Sequence, residues 1–221
     1  MAGKEAAEDL GAVFDAHVRA EFVERDVAAT MATMTPDPFV THVPTLTGGT
    51  GRNEVERFYR DYFVGHWPKD VEVKPLSRTV GQDRVVDELI VSFTHDREMK
   101  AYLPGVASTG RKVVLPHVVV MGFDEMGRVA YEHIYWDQAS LLVQKGLLNP
   151  DSLPMSGVEE ASRVMDPREP ANQMIARMQP KNRRNYRSLA IQDQGASTVV
   201  HPIEIDWAHL PKSEKLTSCA H

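Results

Sequence analysis

The stretch Gly127-Arg-Val-Ala-Tyr-Glu-His-Ile-Tyr-Trp-Asp-Gln-Ala-Ser-Leu-Leu-Val-Gln-Lys-Gly-Leu-Leu148 marks where a strand stops and a helix starts. From Val129 to Trp136 every residue but Ala130, Glu132 and His133 is β-branched or aromatic, which is the composition of a strand. Asp137 then offers a side-chain oxygen suited to an N-cap, predicting a helix over residues 138–145 that Gly146 closes as its C′ residue. Strand side chains alternate, so Ala130, Glu132, Ile134 and Trp136 share one face while Tyr131, His133, Tyr135 and Asp137 share the other. Whichever face is buried takes an ionisable group with it.

Working back from this stretch, strand-like runs recur at residues 71–76, 84–94, 112–123 and 128–136, separated by turn-forming segments such as Asp124-Glu-Met-Gly. Before them the period is helical. Leu10, Val13, Phe14, His17-Val18, Phe22 and Val23 outline an amphipathic helix within residues 6–27, and a second helix over 27–34 ends at Thr35-Pro-Asp-Pro. Residues 39–44 read as a short strand containing His42, and residues 47–51, with three glycines, as a turn. Asn53 with Glu56 resembles a capping box for a helix over 54–63, whose stripe is Val55, Phe58, Tyr59 and Tyr62. Helices first and an antiparallel run of strands afterwards make an α+β order. After Asn149-Pro-Asp prolines recur, and only residues 158–165 and 171–178 look helical. This extension is expected to pack on the sheet or a partner subunit through Val158, Val164, Met165, Met174, Ile175 and Met178, and to be loosely held beyond about residue 186.

The 221 residues are 42% hydrophobic, enough for one core plus an appendage. A formal charge of −6 argues against nucleic-acid or anionic-membrane partners. The basic cluster Lys181-Asn-Arg-Arg184 with Arg187 reads as a solvated patch in the tail. A single cysteine, Cys219, excludes an internal disulfide. No apolar run approaches the roughly 18 residues of a membrane span, and the N-terminus lacks a signal-like apolar segment, so the expected location is cytoplasmic.

The helical pair, the strand with His42, a Gly-x-x-x-Val-x-x-Phe-Tyr helix from Gly51 to Tyr59, and the closing Tyr-Glu-His-Ile-Tyr-Trp-Asp together resemble the SnoaL-like branch of the nuclear transport factor two-like superfamily, over roughly residues 6–148. The resemblance implies a cone-shaped, curved antiparallel sheet wrapped by the N-terminal helices, a deep apolar pocket between them, and usually a homodimer. It divides the chain into a cone domain, residues 1–149, and a C-terminal extension, residues 150–221. Polyketide cyclases, ketosteroid isomerase, limonene epoxide hydrolase, dehydratases and non-catalytic binding proteins share this fold, so the fold alone does not choose a reaction.

Carried over on Gly51 and Phe58-Tyr59, the resemblance puts His42 where ketosteroid isomerase keeps its proton-abstracting carboxylate. Carried over on Gly127, it puts Trp136 at a pocket aromatic position, turning Glu132 and Ile134 inward as well. Val119 falls at the isomerase's oxyanion-donor position, with His117 on the same face two residues earlier. A looser match to the epoxide hydrolase turns Glu88, Ile90 and Ser92 inward, but its Arg and Asp correspond to Ile90 and Ser92, which argues against that mechanism.

The expected catalytic set is therefore His42, Glu88, His117 and Glu132. His42 would serve as the base, since an ordinary imidazole titrates near working pH, and Glu132 or Glu88, raised by burial, as the acid. The plain alternatives are a strand-end histidine satisfied by a carbonyl and a structural carboxylate–histidine network. Tyr59, Trp136, Ile134, Val119, Leu103 and Val106 are the expected substrate-lining residues; His66-Trp67 and His95-Asp96 are read as solvated turns. No metal-binding spacing and no Gly-x-Ser-x-Gly elbow occurs, so neither metal nor covalent serine chemistry is expected, and no cofactor. These residues point to an isomerase, cyclase or dehydratase acting by acid/base catalysis on a small, mostly apolar, carbonyl-bearing substrate. A binding or assembly module of the same fold is the first alternative. A hydrolase using water held between Glu88 and Glu132 is the second.

Overall fold

The computed structural model describes residues 9–179. The basic cluster, Cys219 and the stretch expected to be loosely held lie outside them. Helix α1 spans Leu10–Arg19, capped by the Asp9 carboxylate, and continues into a π turn over Ala20–Glu24. After α2 (Val27–Ala32), capped by Asp26, the chain enters β1 (Met34–His42) and β2 (Thr47–Thr50). Helix α3 (Arg52–Phe58) again runs into a π turn, Tyr59–Phe63. Strands β3 (Glu72–Val80), β4 (Arg84–Thr94), β5 (Lys112–Phe123) and β6 (Val129–Trp136) follow. Helices α4 (Gln138–Gln144), α5 (Glu159–Met165) and α6 (Gln173–Arg177) complete the described chain.

The six strands form one open sheet in the order β2-β1-β6-β5-β4-β3. From β3 to β6 it is antiparallel, as expected, but β1 lies parallel to β6, which makes the sheet mixed. No hairpin joins those two strands; the long connection through α3 and four strands leaves the direction of β1 free of the antiparallel constraint. Pro36 and Pro38 lack the N–H a ladder needs, and pairing with β6 is interrupted between Met34 and Phe39.

Residues 47–51, expected to be a turn, instead form β2. A Cβ on Gly48 would lie 1.9 Å from the Val40 carbonyl oxygen, so only glycine lets β2 pair so closely with β1. The capping box also takes another form. Gly51 is the N-cap, without a side-chain bond, and Glu54 rather than Glu56 reaches back, accepting from Thr50 N at 3.1 Å. At the other end Asp137 caps α4 through Ala139 N and Ser140 N, and Gly146 takes the left-handed conformation at φ 74°, as their positions in the sequence predict.

Inside the sheet, α1 and α3 bury Phe14, Val55, Phe58, Tyr59 and Phe63 against Val85, Phe93, Val113, Leu115 and Met121. Trp67, expected in a turn, belongs to this core, packing edge-on against Phe63, Phe93 and Tyr102. His95 is buried as well, with Nδ1 3.2 Å from Thr109 Oγ1. In the extension, α5 packs against β5 through Ala161, and Met155 is buried with it. Val158, Val164, Met165 and Ile175 are exposed in the single chain, while Met174 and Met178 are half-buried. The short side chain of Ala161 lets the helix approach closely, a contact that a search for large apolar residues passes over.

Candidate functional site

A cavity lies between the sheet and the helices α1 and α3. Its walls are mostly apolar, with Val40, Phe63, Val91, Val119, Met121 and Ile134 among them. The empty space within, mouth included, is about 530 Å³, of which the centres of water-sized spheres can occupy about 50 Å³. Polar groups converge on it in two clusters.

The first cluster is acidic. His17 on the buried face of α1 and Glu21, four residues on in the first π turn, meet Glu132 from β6 and Tyr59 from the start of the second π turn. His17 Nε2 lies 2.5 Å from Glu132 Oε1 and 3.3 Å from Glu21 Oε1. The Tyr59 hydroxyl is 3.3 Å from both His17 Nε2 and Glu132 Oε1, and donates to the carboxylate. Behind the ring, Thr33 Oγ1 donates its proton to Thr30 O at 2.8 Å and so accepts from His17 Nδ1–H at 2.6 Å. Both ring nitrogens therefore face acceptors, the geometry of an imidazolium. Burial alone would lower its pKa, but the two carboxylates outweigh burial and hold it up at about 10. For Glu21, burial and the neighbouring Glu132 outweigh the pull of His17, and its pKa is pushed up to about 7. Burial, with Glu132 and Glu21 adding to it, also keeps the Tyr59 hydroxyl protonated.

These three ionisable side chains bring a nitrogen and two carboxylate oxygens within 4.8 Å of one another, a donor set that suits a divalent ion. As it stands, however, the short Nε2–Oε1 contact is closed by the His17 proton, which occupies the place a metal would take.

The second cluster is neutral. The Nδ1–H of His117 donates to Leu115 O at 3.1 Å, which leaves Nε2 to accept from the Tyr102 hydroxyl at 3.2 Å. Burial lowers its pKa to about 4. The Nδ1 of His42 is 3.1 Å from Thr47 Oγ1, and the hydroxyls of Thr47 and Thr45 both reach Ala101 O at 3.0 Å. With the Thr47 proton given to that carbonyl, Nδ1–H is the donor and Nε2 carries the lone pair. Among the described residues, nothing donates to His42 Nε2. Its ring is caged by Phe58, Phe63, Tyr102 and Trp136 at centroid distances of 5.1–5.5 Å. Burial, with His117 opposite, lowers its pKa to about 3.

Of the four residues expected to be catalytic, His42, His117 and Glu132 line this one cavity. Glu88 does not. Val85, Asp87, Leu89, Val91 and Phe93 form the inner side of β4, and Glu88, Ile90 and Ser92 the outer, where Glu88 accepts from Ser77 Oγ at 3.2 Å. Alternation along β4 favours this facing, since Val85, Leu89, Val91 and Phe93 share one side with Asp87 while Arg84, Glu88, Ser92 and Thr94 share the other with Val86 and Ile90; the looser family match sets it wrong by one residue. Tyr59, Val119 and Ile134 line the cavity as expected. Trp136, Leu103 and Val106 back it instead: Trp136 stacks on Tyr102 at 4.2 Å, Leu103 is buried in the core, and Val106 packs against that core.

Sequence reading missed His17, Glu21 and Tyr102. The first two had a signal. Leu10, Phe14, His17 and Glu21 fall on one helical stripe, so a histidine and a glutamate sit where an apolar face should be.

Comparison with known proteins fits this architecture. A SnoaL-like protein from Jannaschia sp. CCS1, provisionally assigned as a polyketide cyclase, is 18% identical over 66% of this chain and 100% of its own, with a TM-score of 0.51. An NTF2-like protein of unknown function from Burkholderia pseudomallei K96243 is 24% identical, covering 61% of this chain and 95% of that one, TM-score 0.47. An NTF2-like protein from Burkholderia thailandensis E264 is 19% identical, covering 63% and 98%, TM-score 0.46. No curated protein matches the sequence. The SnoaL-like domain family matches residues 14–132, more than half of the chain, and the protein belongs to that family. Among the described residues, no helix is long and apolar enough to cross a membrane.

Proposed function

We propose that this protein is a cofactor-independent acid/base enzyme, of isomerase, cyclase or dehydratase type, acting on a small, mostly apolar, carbonyl-bearing substrate. The observation that carries the reading is Glu21: a carboxyl group facing an apolar cavity, with its pKa raised to about 7. A group half-ionised near working pH moves protons most effectively in either direction. Glu21 takes the proton-transfer role that was expected of His42, because an imidazole held at about 3 is the weaker base. His42 Nε2 accepts from a hydroxyl on the substrate or from its enol, not from the ketone itself, and the His17–Glu132 pair with Tyr59 holds the charge around Glu21. Glu132 acts through His17 and Tyr59, and His117 through Tyr102; both are positioning residues. Water held between Glu88 and Glu132 is excluded by the facing of β4.

The protein is further read as a homodimer through the outer face of the sheet. There Phe39 stacks on Tyr131 at 5.1 Å, and Val118 and Tyr135 are exposed. Sedimentation would test that state.

The reaction is tested by deuterium exchange at the α-carbon of small neutral ketones, followed by proton NMR. Wild-type protein should accelerate exchange and Glu21→Gln should reduce the acceleration by roughly 10²–10⁴-fold. Ketone binding without any exchange would favour a binding module of the same fold.

A further inference from the structure

We infer that the ligand of this cavity is an elongated, uncharged amphiphile: a small polar head occupies the inner chamber, and an apolar body lies in the groove between α1 and strands β3 and β4. The carbonyl nature of the head rests on the acid/base reading above; the groove and the absence of charge do not.

The first argument is size. The inner chamber is the smaller space, about 50 Å³, and suits the head rather than the whole ligand. Immediately outside lies a second space which, by the same measure, is about 350 Å³. Phe14, Val18, Phe22, Val73 and Leu89 border both spaces, so the two adjoin along these side chains. The groove is continuous with the chamber's apolar wall and is extended outward by Val71 and Pro75 on the sheet side and Val23 on the helix side. Val23 is 75% exposed, an apolar rim with nothing over it among the described residues. A body lying there would cover it.

The second argument is charge. Two glutamates, Glu21 and Glu132, line the inner end with the His17 imidazolium held against them, while His42 and His117 are neutral. Among the described residues, no cation there is free of a carboxylate. An anionic head would be buried beside two glutamates without a counter-charge, which is costly in an apolar site. A carbonyl or hydroxyl head brings no charge to this end, and a hydroxyl can in addition donate to the lone pair on His42 Nε2. Farther out, Arg78 is already held by Asp87 at 2.7 and 2.8 Å and by Asp15 at 2.7 Å. Arg19, which also borders the groove, is exposed and is not among the residues lining the inner chamber.

The test uses the full-length protein and a series of linear methyl ketones, 2-pentanone to 2-undecanone, with binding measured by displacement of a neutral solvatochromic dye. Affinity should climb about three- to fourfold per methylene until the groove is filled. Undecanoate at pH 8 should bind at least about tenfold more weakly than 2-undecanone, a gap that Glu21→Gln should narrow. Val71→Trp, at a position that borders the groove and not the chamber, should weaken 2-undecanone and spare 2-pentanone. Val23→Glu, at an exposed position that cannot threaten folding, should do the same more mildly. Affinity independent of chain length, or unchanged in both variants, would overturn the groove; equal binding of the carboxylate would overturn the uncharged head. Length-dependent binding without α-proton exchange would leave the groove standing and remove the acid/base reading.

Discussion

His17 Nε2 and Glu132 Oε1, 2.5 Å apart, tie the first helix to the last strand across the interior of the cone. Both side chains are almost completely buried, so neither can exchange its partner for water. Removing one partner from such a pair typically costs about 3–5 kcal/mol, whereas replacing both by apolar groups of similar size is often neutral. Glu132→Leu alone should therefore lower the unfolding free energy by about that amount, and His17→Leu with Glu132→Leu should recover most of it. Urea unfolding of the single and double variants measures this; simple additivity would show that the two side chains do not act as a pair.

Stability should depend on pH with a sign set by three buried groups. His42 and His117, lowered to about 3 and about 4, bind fewer protons folded than unfolded below about pH 6.5, so they contribute stability that is lost as pH falls. Glu21, raised from 4.5 to about 7, works in the opposite direction, contributing stability that is lost as pH rises through that interval. Between about pH 4.5 and 6.5 the net is close to one proton, or about 1.4 kcal/mol per pH unit. Glu21→Gln should steepen the slope toward two protons. A slope that flattens in this variant would contradict the raised carboxyl.

On the alkaline side His17 carries the dependence. Its raised pKa means that its contribution is complete below about pH 6.5 and is lost as pH climbs through about 10. The His17 Cε1 proton, followed by NMR, should show no titration between pH 6 and 8.

Tyr102→Phe should expose the dependence of His117 on its donor. The Tyr102 hydroxyl bonds to the neutral form of the ring, so its loss should raise the His117 pKa and, by leaving a buried nitrogen without a partner, cost about 1–3 kcal/mol. An unchanged imidazole titration would mean that the 3.2 Å contact carries no hydrogen bond.

If Glu21 is the proton-transferring base, the rate of ketone α-exchange should rise with pH and level off above about 7, the carboxylate being the active form. Glu21→Asp, which keeps the group but withdraws it, should preserve the shape of the profile at lower amplitude. A wild-type profile flat from pH 5 to 9 would remove Glu21 from the reaction.

The strands and the family were legible because β-branched runs, Asp137 and Gly146 act locally. The facing of β6 was legible through Glu132, since a charged residue among apolar ones, placed by the family anchor, distinguishes the two sides. β4 carried a similar contrast, Val85, Leu89, Val91 and Phe93 on the inner side against Arg84, Glu88, Ser92 and Thr94 on the outer, and the looser family match overrode it. In α1, His17 was counted into the apolar stripe and Glu21 among the polar residues around it, although helical spacing places both on the buried side. The parallel docking of β1 and the proton on His17 arise from partners distant in the chain, and no local pattern encodes them.

The pairing of β1 with β6 has a consequence for how the chain is made. Residues 34–42 leave the ribosome long before 129–136, so during synthesis the β1–β2 ribbon waits with one backbone edge open and His17 without its carboxylate. Only when β6 arrives does the interior close. Contacts so distant in sequence slow folding, and an unpaired edge invites association with other chains. Nascent chains halted before residue 129 should therefore be captured by chaperones, and chains halted past 136, with enough additional length to clear the ribosome, should escape them.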